Sequence, residues 1–165
     1  MLRRAIYVGV ETGLLLCLLG TVTWVSGYPF IFPSLGPTAF VLAMSPDHNT
    51  LRQVVGGHVC GVLSGLAAYH LLAFGLVVTV AHDPFSTERL WLAASGAFSV
   101  AMTAGSMIGL RVVHPPACAT TLIVSLGLMS GIVEAAIIVV AVSVLYAAHR
   151  LIHRLLRSSL SATSA

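Results

Sequence analysis

Proline breaks this chain at two places where hydroxyls or a histidine stand within reach. The first is Phe32-Pro33-Ser34-Leu35-Gly36-Pro37-Thr38-Ala39 and the second is His114-Pro115-Pro116-Ala117-Cys118-Ala119-Thr120. A helix that opens just behind a proline presents unbonded N–H groups and about half a positive charge at its start. Ser34, Thr38, Thr120 and Thr121 add hydroxyl donors, and the His114 ring can add another. The chain has no lysine. A site built here would hold its ligand with dipoles and neutral donors, which suits a small, compact, monovalent anion. The candidate binding set is Ser34, Leu35, Gly36, Pro37, Thr38, Ala39, His114, Pro115, Pro116, Ala117, Cys118, Ala119 and Thr120.

Ionisable residues inside apolar stretches are a second signal, because each is costly there. Glu11, His58 and His114 are the candidates for proton coupling. Glu11 reads equally well as a relay, as a partner for a histidine, or as a carboxylate solvated near the interface. His149 and His153 lie among Arg150, Arg154 and Arg157 and read as headgroup-facing. Two ligands fall short of the three or four that zinc takes, so no metal is expected. Cys17, Cys60 and Cys118 lack ligand spacing and read as small packing residues. No catalytic residue and no cofactor is expected.

The elements that must position these residues follow from composition. Apolar residues make up 58% of the chain and charged residues only 8%, with a mean hydropathy of +0.99. A soluble domain carries about 25% charged residues, so these values predict an all-α integral membrane protein. Long spans are expected at about 5–27, 54–81, 90–110 and 131–152, each near the ~20 residues that cross a bilayer. Two shorter apolar segments, 38–45 and 117–129, lie behind the breakers. Arg3 and Arg4 precede the first span, yet its length and the absence of a clear A-x-A pattern argue against a cleaved leader. Seven of the eight arginines fall on one side if the chain crosses six times. The positive-inside rule then predicts that both termini are cytoplasmic. The net charge of +3 needs no nucleic acid, since lipid headgroups attract juxtamembrane arginines.

Pro37 and Pro116 stand 79 positions apart, and the same offset lays Ser64 on Ser143, Leu66 on Leu145, Ala68 on Ala147 and His70 on His149. This predicts a single domain over 1–165 built from two repeats, about 1–81 and 88–157, with a flexible tail over 158–165. Three segments per repeat is an odd number, so the halves must face opposite ways. Each short segment is then a half-helix, beginning near Thr38 or Ala117, and the two N-termini meet near the membrane centre. Residues 28–36 would descend to that depth as irregular chain, which a bilayer tolerates only inside protein.

The two breaker segments resemble the signature segments of the HPP family of integral membrane proteins, named for the His-Pro-Pro triplet seen here at 114–116. The resemblance covers nearly the whole chain. It departs at Ala117-Cys118-Ala119, where the family commonly has Ala-Gly-Ala, and Cys118 would narrow a pocket there. Plastid members are linked to nitrite transport, so the resemblance implies a transporter of a small inorganic anion, with nitrite the expected ligand. It also implies a place in a bacterial inner membrane. A homo-oligomer is expected, because six short segments enclose little core. Two other readings stay open: a scaffold or assembly subunit, and a membrane-embedded enzyme that uses histidine.

Overall fold

In hydrocarbon a backbone segment must satisfy its polar groups internally, and a helix does so. The computed structural model describes residues 1–162 as six helices: α1 (Leu2–Ser26), α2 (Ile31–Met44), α3 (Leu51–Leu72), α4 (Thr87–Gly109), α5 (Ala117–Ser125) and α6 (Ile132–Ala162). Among the described residues there is no strand. Four helices, α1, α3, α4 and α6, are long and apolar enough to cross a membrane.

Three expectations need correction. The span expected over 54–81 ends as helix at Leu72, and Gly75 turns the chain with φ +81°. Part of the stretch after it covers the end of α5. Ala73 and Leu76 pack with Tyr69, Leu92 and Leu126, and the Val78 N–H donates to the Leu126 carbonyl. Apolar content alone does not distinguish such a cover from a longer helix. The tail expected over 158–165 continues as α6 through Ala162, and 163–165 lie outside the described residues.

The third correction concerns the breakers. α5 starts at Ala117, as the His-Pro-Pro triplet predicts. α2 does not start behind Pro37. It opens at Ile31, takes Pro33 into its first turn, where a missing N–H costs little, and runs on through Pro37 to Met44. Both proline rings face outward from the protein, so the ring that interrupts the ladder meets no packed neighbour. At 14 residues α2 is about 21 Å long, short of the ~30 Å hydrocarbon core.

α3 is the hub, packed against α4, α5 and α6. Gly57, Gly61 and Gly65 form one stripe facing α5 and the turn before it. A Cβ on Gly61 would lie 2.8 Å from both the Ala117 carbonyl and Thr121 Oγ1. α4 meets α5 through buried hydroxyls eight residues apart: Ser95 Oγ donates to the Ser125 carbonyl at 2.8 Å, and Thr103 and Thr121 share a 2.8 Å bond. The larger apolar core, including Leu15, Leu35, Leu42, Val124, Ile138 and Leu145, fills the space among α1, α2, α5 and α6.

The closely packed pairs are α1–α2, α1–α6, α2–α5, α2–α6, α3–α4, α3–α5, α3–α6 and α4–α5. Exchanging α1 with α4, α2 with α5 and α3 with α6 maps this set onto itself. The start of α3 and the end of α4 share a face, since the Arg52 guanidinium donates to the Leu110 carbonyl at 3.1 Å. Tyr146 on α6 donates to the Asn49 carbonyl between α2 and α3, which brings the later part of α6 to that same face.

Candidate functional site

Thr38 lies in the second turn from the start of α2, and Ser34 lies one turn before it on the same side. Both are fully buried. A threonine or serine hydroxyl facing protein at this depth must find a partner, because an unbonded polar group in an apolar interior costs several kcal/mol. The partners come from three other segments. Thr38 Oγ1 lies 2.8 Å from His58 Nε2 on α3 and 3.3 Å from His114 Nε2 in the turn before α5. Ser34 Oγ lies 2.7 Å from Thr120 Oγ1 on α5, and Thr120 Oγ1 lies 2.7 Å from His58 Nδ1. The two imidazole rings stand 5.4 Å apart, tilted. The result is one connected chain, Ser34–Thr120–His58–Thr38–His114.

Its depth follows from α3. His58 is seven residues beyond Leu51, and Gly61, beside Ala117, is ten beyond it. At 1.5 Å per residue the network sits about 10–15 Å above the start of α3, close to the middle of a ~30 Å core.

The proton arrangement is constrained. A neutral imidazole has one N–H and one bare nitrogen, so the two hydroxyls touching His58 must play opposite parts. One donates to the ring and the other accepts from it. Should His58 hold a second proton, both hydroxyls become acceptors from it, and their own protons are free to turn toward another acceptor.

Side chains, not helix ends, make this site. The first amides of α5 are already used in turn bonds, Ala117 N–H to the His114 carbonyl, Cys118 N–H to Pro115 and Ala119 N–H to Pro116. The start of α2 is likewise closed by bonds to the Tyr28, Pro29 and Phe30 carbonyls, and it lies two turns from Thr38. The expected meeting of two half-helix N-termini near Thr38 and Ala117 is therefore not what the structure holds.

Of the thirteen expected binding residues, Ser34, Thr38, His114 and Thr120 come together. Leu35 and Ala39 point into the apolar core, and Gly36 approaches Leu16 on α1. Pro37 and Pro115 are exposed, and Pro116 caps α5. Ala117 packs against α3, and Cys118 packs with Cys60, Met107 and Val112. Ala119, half-buried, follows them in the first turn of α5. His58, expected only as a proton carrier, is instead the ring that joins the two hydroxyls.

Glu11 lies elsewhere, at the contact of α1 with α6, where its Oε1 is 2.7 Å from His149 Nδ1 and both side chains are fully buried. One turn toward the helix ends, Tyr7 Oη is 2.6 Å from His153 Nδ1. Tyr7 and Glu11 are four apart on α1, and so are His149 and His153 on α6, which makes two rungs of an antiparallel ladder. His149 does not face headgroups. Its i, i+4 relation to His153 is visible in the sequence, but the matching Tyr7 and Glu11 spacing on α1 is what points to a shared contact. Among the described residues no group of three or more His, Cys, Asp or Glu is arranged to hold a metal ion.

Comparison with known proteins adds one match. The family model described as "HPP, transmembrane region" matches residues 1–160. No curated protein and no solved structure matches the chain.

Proposed function

We propose that this chain, which belongs to the HPP transmembrane family, moves a small inorganic anion across its membrane, with nitrite the foremost candidate. The observation that carries the reading is the Ser34–Thr120–His58–Thr38–His114 network: five buried, donor-rich side chains from four segments, joined in one chain near mid-depth. Burying so many polar groups is costly, and transporters place such groups where cargo passes. Hydroxyls and imidazoles match the needs of a monovalent oxyanion. They can each give one hydrogen bond to a nitrite oxygen without fixing a charge that would trap it. No bond of the cargo is made or broken.

The helix pairs that survive exchange of the two halves support an inverted repeat, in which α1–α3 and α4–α6 face opposite ways. Such an arrangement favours a carrier that opens to one side at a time. In the state described the network is closed to solvent, since all five side chains are essentially unexposed. A bacterial inner membrane is the proposed setting, with the face that holds Arg52, Arg111, Arg150 and Arg154 toward the cytoplasm. The same side would hold both termini. Proton coupling is part of the proposal, because nitrite and a proton together carry no net charge. A homo-oligomer remains part of it as well, the exposed apolar faces of α1, α4 and α6 being available to a second copy as well as to lipid.

The test is nitrite uptake by vesicles holding the purified chain. Uptake above protein-free vesicles that falls on replacing His58 or Thr38 is the expected result. Folded protein with no flux above the empty vesicles sinks the transport reading and leaves the scaffold or enzyme readings.

A further inference from the structure

Buried ionisable groups outside the network are concentrated at the α1–α6 ladder, and several polar atoms there lack partners. Glu11 Oε1 is bonded to His149, but Glu11 Oε2 is buried and has no hydrogen-bond partner. The Nε2 atoms of His149 itself and of His153, one turn away, are buried without a partner too. Carboxylate oxygens are strong acceptors, and leaving one bare in a fully buried side chain is expensive unless the atom has another task.

We propose that the Glu11–His149 pair is the binding site of the coupling proton, and that the proton lands on Glu11 Oε2. This rests on the anion-transport reading above and deepens it. The pair holding one proton, as carboxylate and imidazolium, has no net charge, whereas the pair without it would bury a lone negative charge. A second proton on Oε2 turns the carboxylate into an acid while the imidazolium stays. The pair then carries +1. That charge is unfavourable alone and favourable when a monovalent anion sits in the His58 network nearby. Proton and anion therefore raise one another's affinity, and the effect is reciprocal. When the anion leaves, the pair expels the second proton.

α2 supplies the physical link. It packs against α1, α6 and α5, so one helix borders both the pair and the network. Gly36 of α2 meets Leu16 of α1, and Gly20 of α1 meets Phe32, which aligns the two helices in opposite directions. In that register Glu11 lies about one turn nearer the chain termini than Thr38 does. Fully buried Leu15, Leu42 and Leu145 belong to the apolar cluster in that region. The two sites thus share α2 as a neighbour, about one helical turn apart in depth.

The groups around the pair leave it dependent on its own proton. His153 stacks on the His149 ring at 5.9 Å and Tyr7 bonds His153. Tyr146 lies 6.2 Å from the His149 ring. α2 has no titratable side chain, and the loop after it brings Asp47 and His48. On α3, Arg52 is bonded to the Leu110 carbonyl, His58 lies in the anion network and His70 is bonded to the Leu66 carbonyl. Arg150 is the neighbour of His149 in sequence and faces outward. Tyr7 and His153 extend from the pair toward the chain ends, along the line a proton would take to that face.

The experiment uses the full chain in vesicles with a pH gradient and nitrite, comparing wild type with Glu11→Gln. Wild type accumulates nitrite toward the alkaline side; Glu11→Gln exchanges nitrite for nitrite at a similar rate but accumulates none. Accumulation by the folded variant equal to wild type overturns the proposal, as does loss of exchange together with accumulation. Should Glu11→Gln fail to fold, infrared spectra answer the question in a Glu88→Gln, Glu134→Gln background, where Glu11 is the remaining glutamate. Adding nitrite to protein labelled at glutamate converts its carboxylate band to a carboxylic acid band if the proposal holds, and leaves it unchanged if it does not. Wild-type nitrite flux that ignores the pH gradient sinks the coupling proposal alone. No wild-type flux at all sinks the transport reading.

Discussion

Thr38 is bonded to both imidazoles, so one methyl-for-hydroxyl exchange tests the network at its centre. Thr38→Val keeps the volume and leaves two buried ring nitrogens short of a partner, a loss of about 2 kcal/mol in stability. Nitrite uptake is expected to fall at least about tenfold, the change that ~1.4 kcal/mol produces. Uptake at the wild-type rate in a folded Thr38→Val protein would remove the network from the pathway. At the ladder, Glu11→Leu leaves His149 with no ionic partner and costs about 3 kcal/mol, while Glu11→Leu with His149→Leu regains most of it, since apolar replacements of a buried pair pack well. Thermal unfolding in detergent measures both, and a double variant less stable than the single one contradicts the account. The hydroxyls and His114 were legible in sequence because proline marks them. Glu11 and His58 were legible only as ionisable residues out of place. Their partners were not, because a hydrogen bond between residues 138 positions apart has no local pattern.

At the scale of elements, the sequence identifies α5 better than α2, and the difference lies in two prolines. Pro115 and Pro116 stand together, and no helix can pass through a double proline without losing successive bonds. Pro33 and Pro37 are four apart, so the first falls in the opening turn of α2 and only the second removes a ladder bond. Reading both as breakers treats them alike, whereas a helix tolerates one interior proline when its ring meets lipid. Pro37→Ala should accordingly restore one backbone bond to the Pro33 carbonyl and leave uptake within about twofold, as lost interior bonds in membrane helices are already tolerated. A tenfold fall in uptake would mean that the kink itself sets Thr38. Gly61→Val has the opposite expectation. Its side chain would displace the Ala117 carbonyl and Thr121 from α3, at a cost of about 3 kcal/mol, and carry Thr120 away from His58. Loss of both folded protein and uptake is expected, and retention of either shows that α5 can shift without consequence. The glycine stripe on α3 was visible in sequence as a packing face. What it packs against was not, since the spacing of glycines names no partner.

For the whole molecule, the antiparallel rungs between α1 and α6 bring the two ends of the chain to one face, together with Arg52. Reporter domains fused to the two termini should give the same sidedness in cells, on the cytoplasmic side by the arginine distribution. Opposite sidedness would break the ladder and the repeat together. The ladder also has a consequence for how the protein is made. Glu11 enters the bilayer with α1, and the histidine bonded to it belongs to α6. Through the synthesis of four intervening helices the newborn chain holds a membrane carboxylate with no His149 to receive it, a costly state.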